Sequence, residues 1–143
     1  MTAVTMTIED FERQVIAGLL AGDHPLLDAL RAQYAAASVR DREVNTRGFV
    51  TRFDVPASAK PIDRKLLHLD DLQIELDGVK TPVDASLHVL NGRLRSLECF
   101  VYDGAFPESP SIKSAWYYGT KKHAGITREL MKERDLEEIL EEE

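Results

Sequence analysis

The chain has 143 residues, of which 43% are hydrophobic and 30% charged, with a formal net charge of −7. That length suits one domain with a single core, and no run of 18 apolar residues is present to span a bilayer. An acidic chain without a basic stripe argues against nucleic-acid binding, and a lone cysteine, Cys99, excludes an intramolecular disulfide.

Met1 to Thr7 has no basic stretch and no apolar stretch of the kind a secretory signal needs, so a cytoplasmic location is expected. Thr7 is placed to cap a first helix, with Ile8, Phe11, Val15, Leu19 and Leu20 at helical spacing and Gly22 as its stop. Asp23 is the expected cap of a second helix, with Pro25 in its first turn and Leu27, Leu30 and Tyr34 along one side. Val39 to Val44 reads as a strand and Asn45-Thr46-Arg47-Gly48 as a turn. Phe49, Thr51, Phe53 and Val55 then alternate with polar positions, the pattern of a half-buried strand. Leu66 to Leu76 reads as one strand, with Leu72, Ile74 and Leu76 on one face.

Asn91-Gly92 between two apolar runs signals a two-residue β-hairpin, because a type I′ turn needs positive φ at both central positions. A regular ladder from that turn pairs Leu90 with Arg93, Val89 with Leu94, Leu87 with Ser96, Ala85 with Glu98 and Val83 with Phe100. This register places Glu98 on the apolar face beside Phe100 and Tyr102, where a carboxylate needs a partner or marks a wet pocket. Arg52 and Lys113 are the candidate partners. Cys99 then falls on the opposite face, across from Asp84, as a quiet strand residue. The same register sets His88 against Arg95.

After a loop from Asp103 to Ser111, Ile112 to Tyr118 reads as a last short strand of aromatic character. Thr127 is the expected cap of a final helix reaching about Glu142. From Lys132 to Glu143 seven acids meet two bases, so most of the net charge sits in the tail. With Glu129, Glu133 and Glu137 on the side of Leu130, Leu136 and Leu140, that helix is expected to fray or to pack only on a neighbouring chain. The organisation expected is a single α+β domain over residues 1–119 and an acidic C-terminal helical tail over 120–143. Within the domain an N-terminal helical pair packs on one face of a mostly antiparallel sheet of five or six strands.

No P-loop, dinucleotide fingerprint, nucleophile elbow or HExxH motif is present, and His24, His68, His88 and His123 have no ligand spacing. No cofactor or metal is therefore expected; Asp70, Asp71 and Glu75 read as a solvated strand edge. The aromatic group Phe100, Tyr102, Phe106, Trp116, Tyr117 and Tyr118 divides between core and an exposed rim, and Tyr and Trp are over-used at protein interfaces.

Gly48-Phe49-Val50-Thr51-Arg52-Phe53-Asp54-Val55-Pro56 resembles a GFxTxFxVP segment, and the run from Asn91 to Asp103 resembles an NGxLxxLExFxY segment. Over residues 12 to 118 the chain is thereby similar to a group of small bacterial proteins, some of them candidate immunity proteins of toxin loci. The aromatic set favours a non-enzymatic module that binds another protein, and the resemblance implies an immunity-like role, with a toxin of basic surface as the partner. The expected contact residues are Glu98, Tyr102, Asp103, Phe106, Glu108 and Trp116. Two other readings stay open: a small-molecule or enzyme site around Glu98, and self-association through the C-terminal helix or an open sheet edge.

Overall fold

The computed structural model describes residues 5–141. Thr7 caps helix α1 (Ile8–Leu19), its hydroxyl accepting the Asp10 N–H at 3.1 Å. Phe11, Val15, Ile16 and Leu19 share a buried face of this helix. The chain reverses at Gly22, where φ is +138°, into α2 (Pro25–Ala36). His24 caps α2 in place of the expected Asp23: its Nδ1 accepts the Leu26 N–H at 3.0 Å, and Pro25 stands at the first helical position.

Seven antiparallel strands follow: β1 (Ser38–Asn45), β2 (Gly48–Asp54), β3 (Leu66–Leu69), β4 (Leu72–Leu76), β5 (Val83–Leu90), β6 (Arg93–Val101) and β7 (Ile112–Tyr117). The fold is the α+β arrangement expected from the order of elements, with a mostly antiparallel sheet. The extra strand arises because Leu66 to Leu76 is not one strand. It breaks at Asp70-Asp71 into β3 and β4, which pair in succession with β5. The sheet runs β1-β2-β6-β5-β4-β7, and β3 lies off this path on β5 alone.

Helices α1 and α2 cover one face of the sheet, and the core between them holds Phe49, Leu72, Ile74, Val83, Leu87, Leu97 and Val101. Burying each such side chain contributes about 1.5–3 kcal/mol. Three buried polar groups stitch the layers together. Glu12 on α1 accepts from the Thr51 hydroxyl and from Arg42 Nη2 at 3.0 Å. Gln33 on α2 reaches the hairpin tip, donating to the Gly92 and Lys60 carbonyls and accepting the Leu94 N–H at 2.9 Å. The Tyr117 hydroxyl donates to the Gly18 carbonyl at 2.5 Å, and burial pushes its pKa up to about 12.

The Asn91-Gly92 turn forms as expected, with φ of +53° and +77°. Leu90 pairs with Arg93 and Val89 with Leu94, and then the register departs from the regular ladder. A β-bulge at Arg95 sets His88 against Ser96, Leu87 against Leu97, Ser86 against Glu98, Ala85 against Cys99 and Val83 against Val101. One extra residue flips every later side chain. Leu97, Cys99 and Val101 thus join Leu94 in the core, and Glu98 and Phe100 turn outward. The expected placement of Glu98 on the apolar face is therefore corrected, and so is that of Cys99 on the other. Arg95, the expected partner of His88, is the unpaired residue of the bulge and is exposed.

The C-terminal segment also differs from expectation. Instead of one helix there are two short ones, α3 (Arg128–Lys132), capped by Thr127 as expected, and α4 (Leu136–Ile139), capped by Asp135. Residues 142 and 143 lie outside the described residues. The segment packs on its own domain: Leu130 is fully buried, and Ile126, Leu136, Ile139 and Leu140 lie against the core. Between the helices the Arg134 side chain is 0% exposed. Its guanidinium forks onto Asp71 at 2.9 and 2.7 Å, donates to the Leu19 and Ala21 carbonyls, and stacks 5.1 Å from the Tyr117 ring centroid. Charge alternation on the helical wheel hid this contact, because the cation that docks the tail lies between two helices. The apolar side chains expected to seek a neighbouring chain are used within this one.

Candidate functional site

The sheet face away from α1 and α2 is the candidate site, and the alternation of side chains along each strand builds it. β5 supplies Asp84, Ser86 and His88, and β6 supplies Ser96, Glu98 and Phe100, with Tyr102 just past its end. β4 supplies Gln73, and Trp116 stands opposite it on β7. Asp84 organises the centre. It accepts from Gln73 Nε2 at 2.6 Å, and Gln73 also donates to the Tyr118 hydroxyl at 3.0 Å. The hydrogen bond to Asp84, with that carboxylate's charge, raises the Tyr102 pKa above its ordinary value. Tyr118 is raised by partial burial and by the charges of Asp84 and Asp70. Tyr102 is 71% exposed and Tyr118 60%.

A polar corner adjoins the aromatics. His68 and His88 are cross-strand partners with ring centroids 4.6 Å apart, edge to face. His88 Nε2 lies 3.6 Å from Glu98, whose side chain is 47% exposed. Neither expected cation meets Glu98: Arg52 pairs with Asp41 and Glu43. Glu98 does not line the cleft of about 1150 Å³ between β3 and α4. At the far side Lys122 lies 4.7 Å from the centroid of the Trp116 ring and binds Glu75 at 2.8 Å, and with Ser114 it lowers the Glu75 pKa. Among the described residues no three His, Cys, Asp or Glu side chains group as a metal site.

Of the expected contact residues, Glu98, Tyr102 and Trp116 share this face. Asp103 and Glu108 are exposed on the loop after β6. Phe106 is a correction. It is 9% exposed, with its ring 5.6 Å from those of Phe11 and Phe49, and it closes the core beneath that loop. The expected contact residues omit Asp84, Gln73 and His68, and Tyr118 enters only as one of the aromatic group. The signal that would have found them is the period-two run Leu97, Cys99, Val101, which matches Leu87, Ala85 and Val83 only if the ladder slips by one.

Cys99 is 1% exposed, and burial pushes its thiol pKa well above the ordinary value, with the Glu12 and Glu98 charges adding to the effect. A disulfide-exchange reagent should leave it untouched in native buffer and titrate it fully in guanidinium. Rapid native labelling would contradict the burial.

The edge strand β1 is exposed along most of its length and is guarded by charge. An antiparallel two-fold pairing of β1 with a second copy, centred on Asp41, Arg42 or Glu43, sets that charge directly against its own copy. Such an edge disfavours self-association.

No helix among the described residues is long and apolar enough to cross a membrane. Compared with protein-family models, curated proteins and solved structures, the chain matches none.

Proposed function

We propose that the protein is a non-catalytic binding module that presents the uncovered sheet face to another protein. The observation carrying this reading is the exposure of Tyr102 and Tyr118 over a carboxylate, Asp84, that has no ion-pair partner among the described residues. Large rigid aromatics with polar tips are the side chains that anchor protein interfaces. The acidic groups Asp84 and Glu98 favour a partner with a basic surface and speed its encounter. The most concrete form is immunity-like: occlusion of a toxin's working surface, as the resemblance of the Gly48–Pro56 and Asn91–Asp103 segments implies. The reading of Glu98 as an enzyme centre has less support, since its carboxylate stands half exposed on an open face.

The test is a titration of the partner, identified by co-purification from the native host, against two proteins. A variant combining Tyr102→Ala and Glu98→Arg should weaken binding at least ~10-fold relative to the unaltered chain, as loss of an interface anchor does. If the partner is a toxin encoded beside this gene, co-expression should restore growth, and the same variant should fail to. Unchanged affinity in the variant would refute the sheet face as the contact.

A further inference from the structure

The sheet has a gap the width of one strand. β4 is flanked by β5 on one side and β7 on the other, but β3, which precedes it along β5, has β5 alone. β7 stops short because the chain turns back: Tyr118 N–H still donates to the Asp71 carbonyl, then Thr120 N–H bonds the Tyr117 carbonyl, with Gly119 at φ +82°. The line that β7 would follow opposite β3 is empty. The Asn91 N–H donates to the Lys65 carbonyl, so residues 65, 67 and 69 turn their backbone groups toward β5. The N–H and C=O groups of Leu66 and His68 therefore point into the gap.

This gap is the floor of a cleft of about 1150 Å³, which exceeds the roughly 300–1,000 Å³ of small-ligand pockets. Its far wall is α4, held in place where Arg64 donates to the Leu140 carbonyl at 2.9 Å. Ile62, Leu67 and Ile139 give it apolar lining. Asp63, Asp70, Asp135, Glu138 and Glu141 also line it, against only Arg64 and Lys65, and none of the five is ion-paired among the described residues. Asp71, which also lines it, is neutralised by Arg134.

We propose that this cleft takes an extended, lysine- or arginine-bearing segment of a partner protein, which adds to β3 as a strand in line with β7. Main-chain bonds to Leu66 and His68 supply the affinity and the carboxylate rim selects the charge. The proposal rests on the binding-module reading only in taking a protein as partner. Tyr118 and His68 border both surfaces, but Tyr102 and Glu98 do not line the cleft, so the variant at those two residues and the test below can fail separately.

The probe is a capped heptapeptide of alternating lysine and valine, compared with its glutamate–valine counterpart and with a lysine–valine version N-methylated at every residue. Amide hydrogen exchange and amide NMR shifts are read on the full chain. The lysine peptide should slow exchange at Leu66 and His68 at least ~10-fold, because those amides become ladder donors. The glutamate and N-methylated peptides should give no such protection. The variant Asp70→Lys with Glu138→Lys, at side chains that make no hydrogen bond among the described residues, should lose the lysine peptide and gain the glutamate one. Absence of protection with the lysine peptide overturns the proposal, and so does equal binding of the N-methylated peptide, which would mean charge adsorption without strand addition. An unchanged preference in the charge-reversed variant overturns the role of the rim.

Discussion

Replacing Arg134 with alanine should destabilise the protein by about 3–5 kcal/mol, the cost typical of leaving half of a buried ion pair. The side chain is wholly enclosed and satisfies three residues at once: Asp71 at the break between β3 and β4, and the Leu19 and Ala21 carbonyls at the end of α1. Without it, the Asp71 carboxylate loses its cation and two carbonyls near a helix terminus lose their donor. For a domain of this size the melting temperature should fall by roughly 10–20 °C. Limited proteolysis should then begin between residues 126 and 141, since Arg134 ties that segment to the body. Arg134→Lys should fall between, because an ammonium keeps the charge and loses the planar fork. Replacing Arg134 and Asp71 together by leucine should recover much of the loss, as a desolvated pair exchanged for apolar volume does. A shift below about 3 °C for the alanine variant would mean that the C-terminal segment is not held by this contact.

Gln33→Met should cost about 2–3 kcal/mol although it conserves shape and adds apolar character, because it orphans a buried N–H. Leu94 follows the hairpin on the side facing β2, and β2 ends its pairing at Arg52 with Ser96. The Leu94 N–H has no strand to bond, and Gln33 Oε1 takes that place at 2.9 Å. Its amide donates to the Gly92 carbonyl at 2.8 Å and to the Lys60 carbonyl at 3.0 Å. Chemical denaturation gives the energy, and hydrogen exchange at Leu94 locates it: that amide should accelerate far more than those of Leu97 and Cys99. Uniform acceleration along β6 would assign the loss to global stability and not to the hairpin tip.

Both contacts join residues distant in sequence, and this is where reading from sequence stopped. Thr7 and Thr127 are legible as caps because a capping hydroxyl and the N–H that donates to it lie within three residues. His24 displaced Asp23 because an imidazole nitrogen can accept at the same place, which the usual preference for short oxygen side chains does not register. The sheet face was half legible. The sequence names Tyr102, Trp116 and Glu98 but places Glu98 on the apolar face, and nothing local joins Asp84 to Gln73, because each is an unremarkable polar residue until the sheet sets it beside Tyr118.

The sequence by itself determined the class of fold, the two N-terminal helices and the position of the Asn91-Gly92 turn. Each follows from local periodicity or from the φ that a residue type accepts. The tertiary structure decided the register beyond that turn, because the bulge at Arg95 is stabilised by burying Leu97, Cys99 and Val101 against β5 and β2, strands far away in the chain. It also decided where the acidic tail goes, since a buried guanidinium needs Asp71 and the Leu19 and Ala21 carbonyls assembled before it can dock. Both outcomes depend on matching surfaces that do not exist until the sheet has formed.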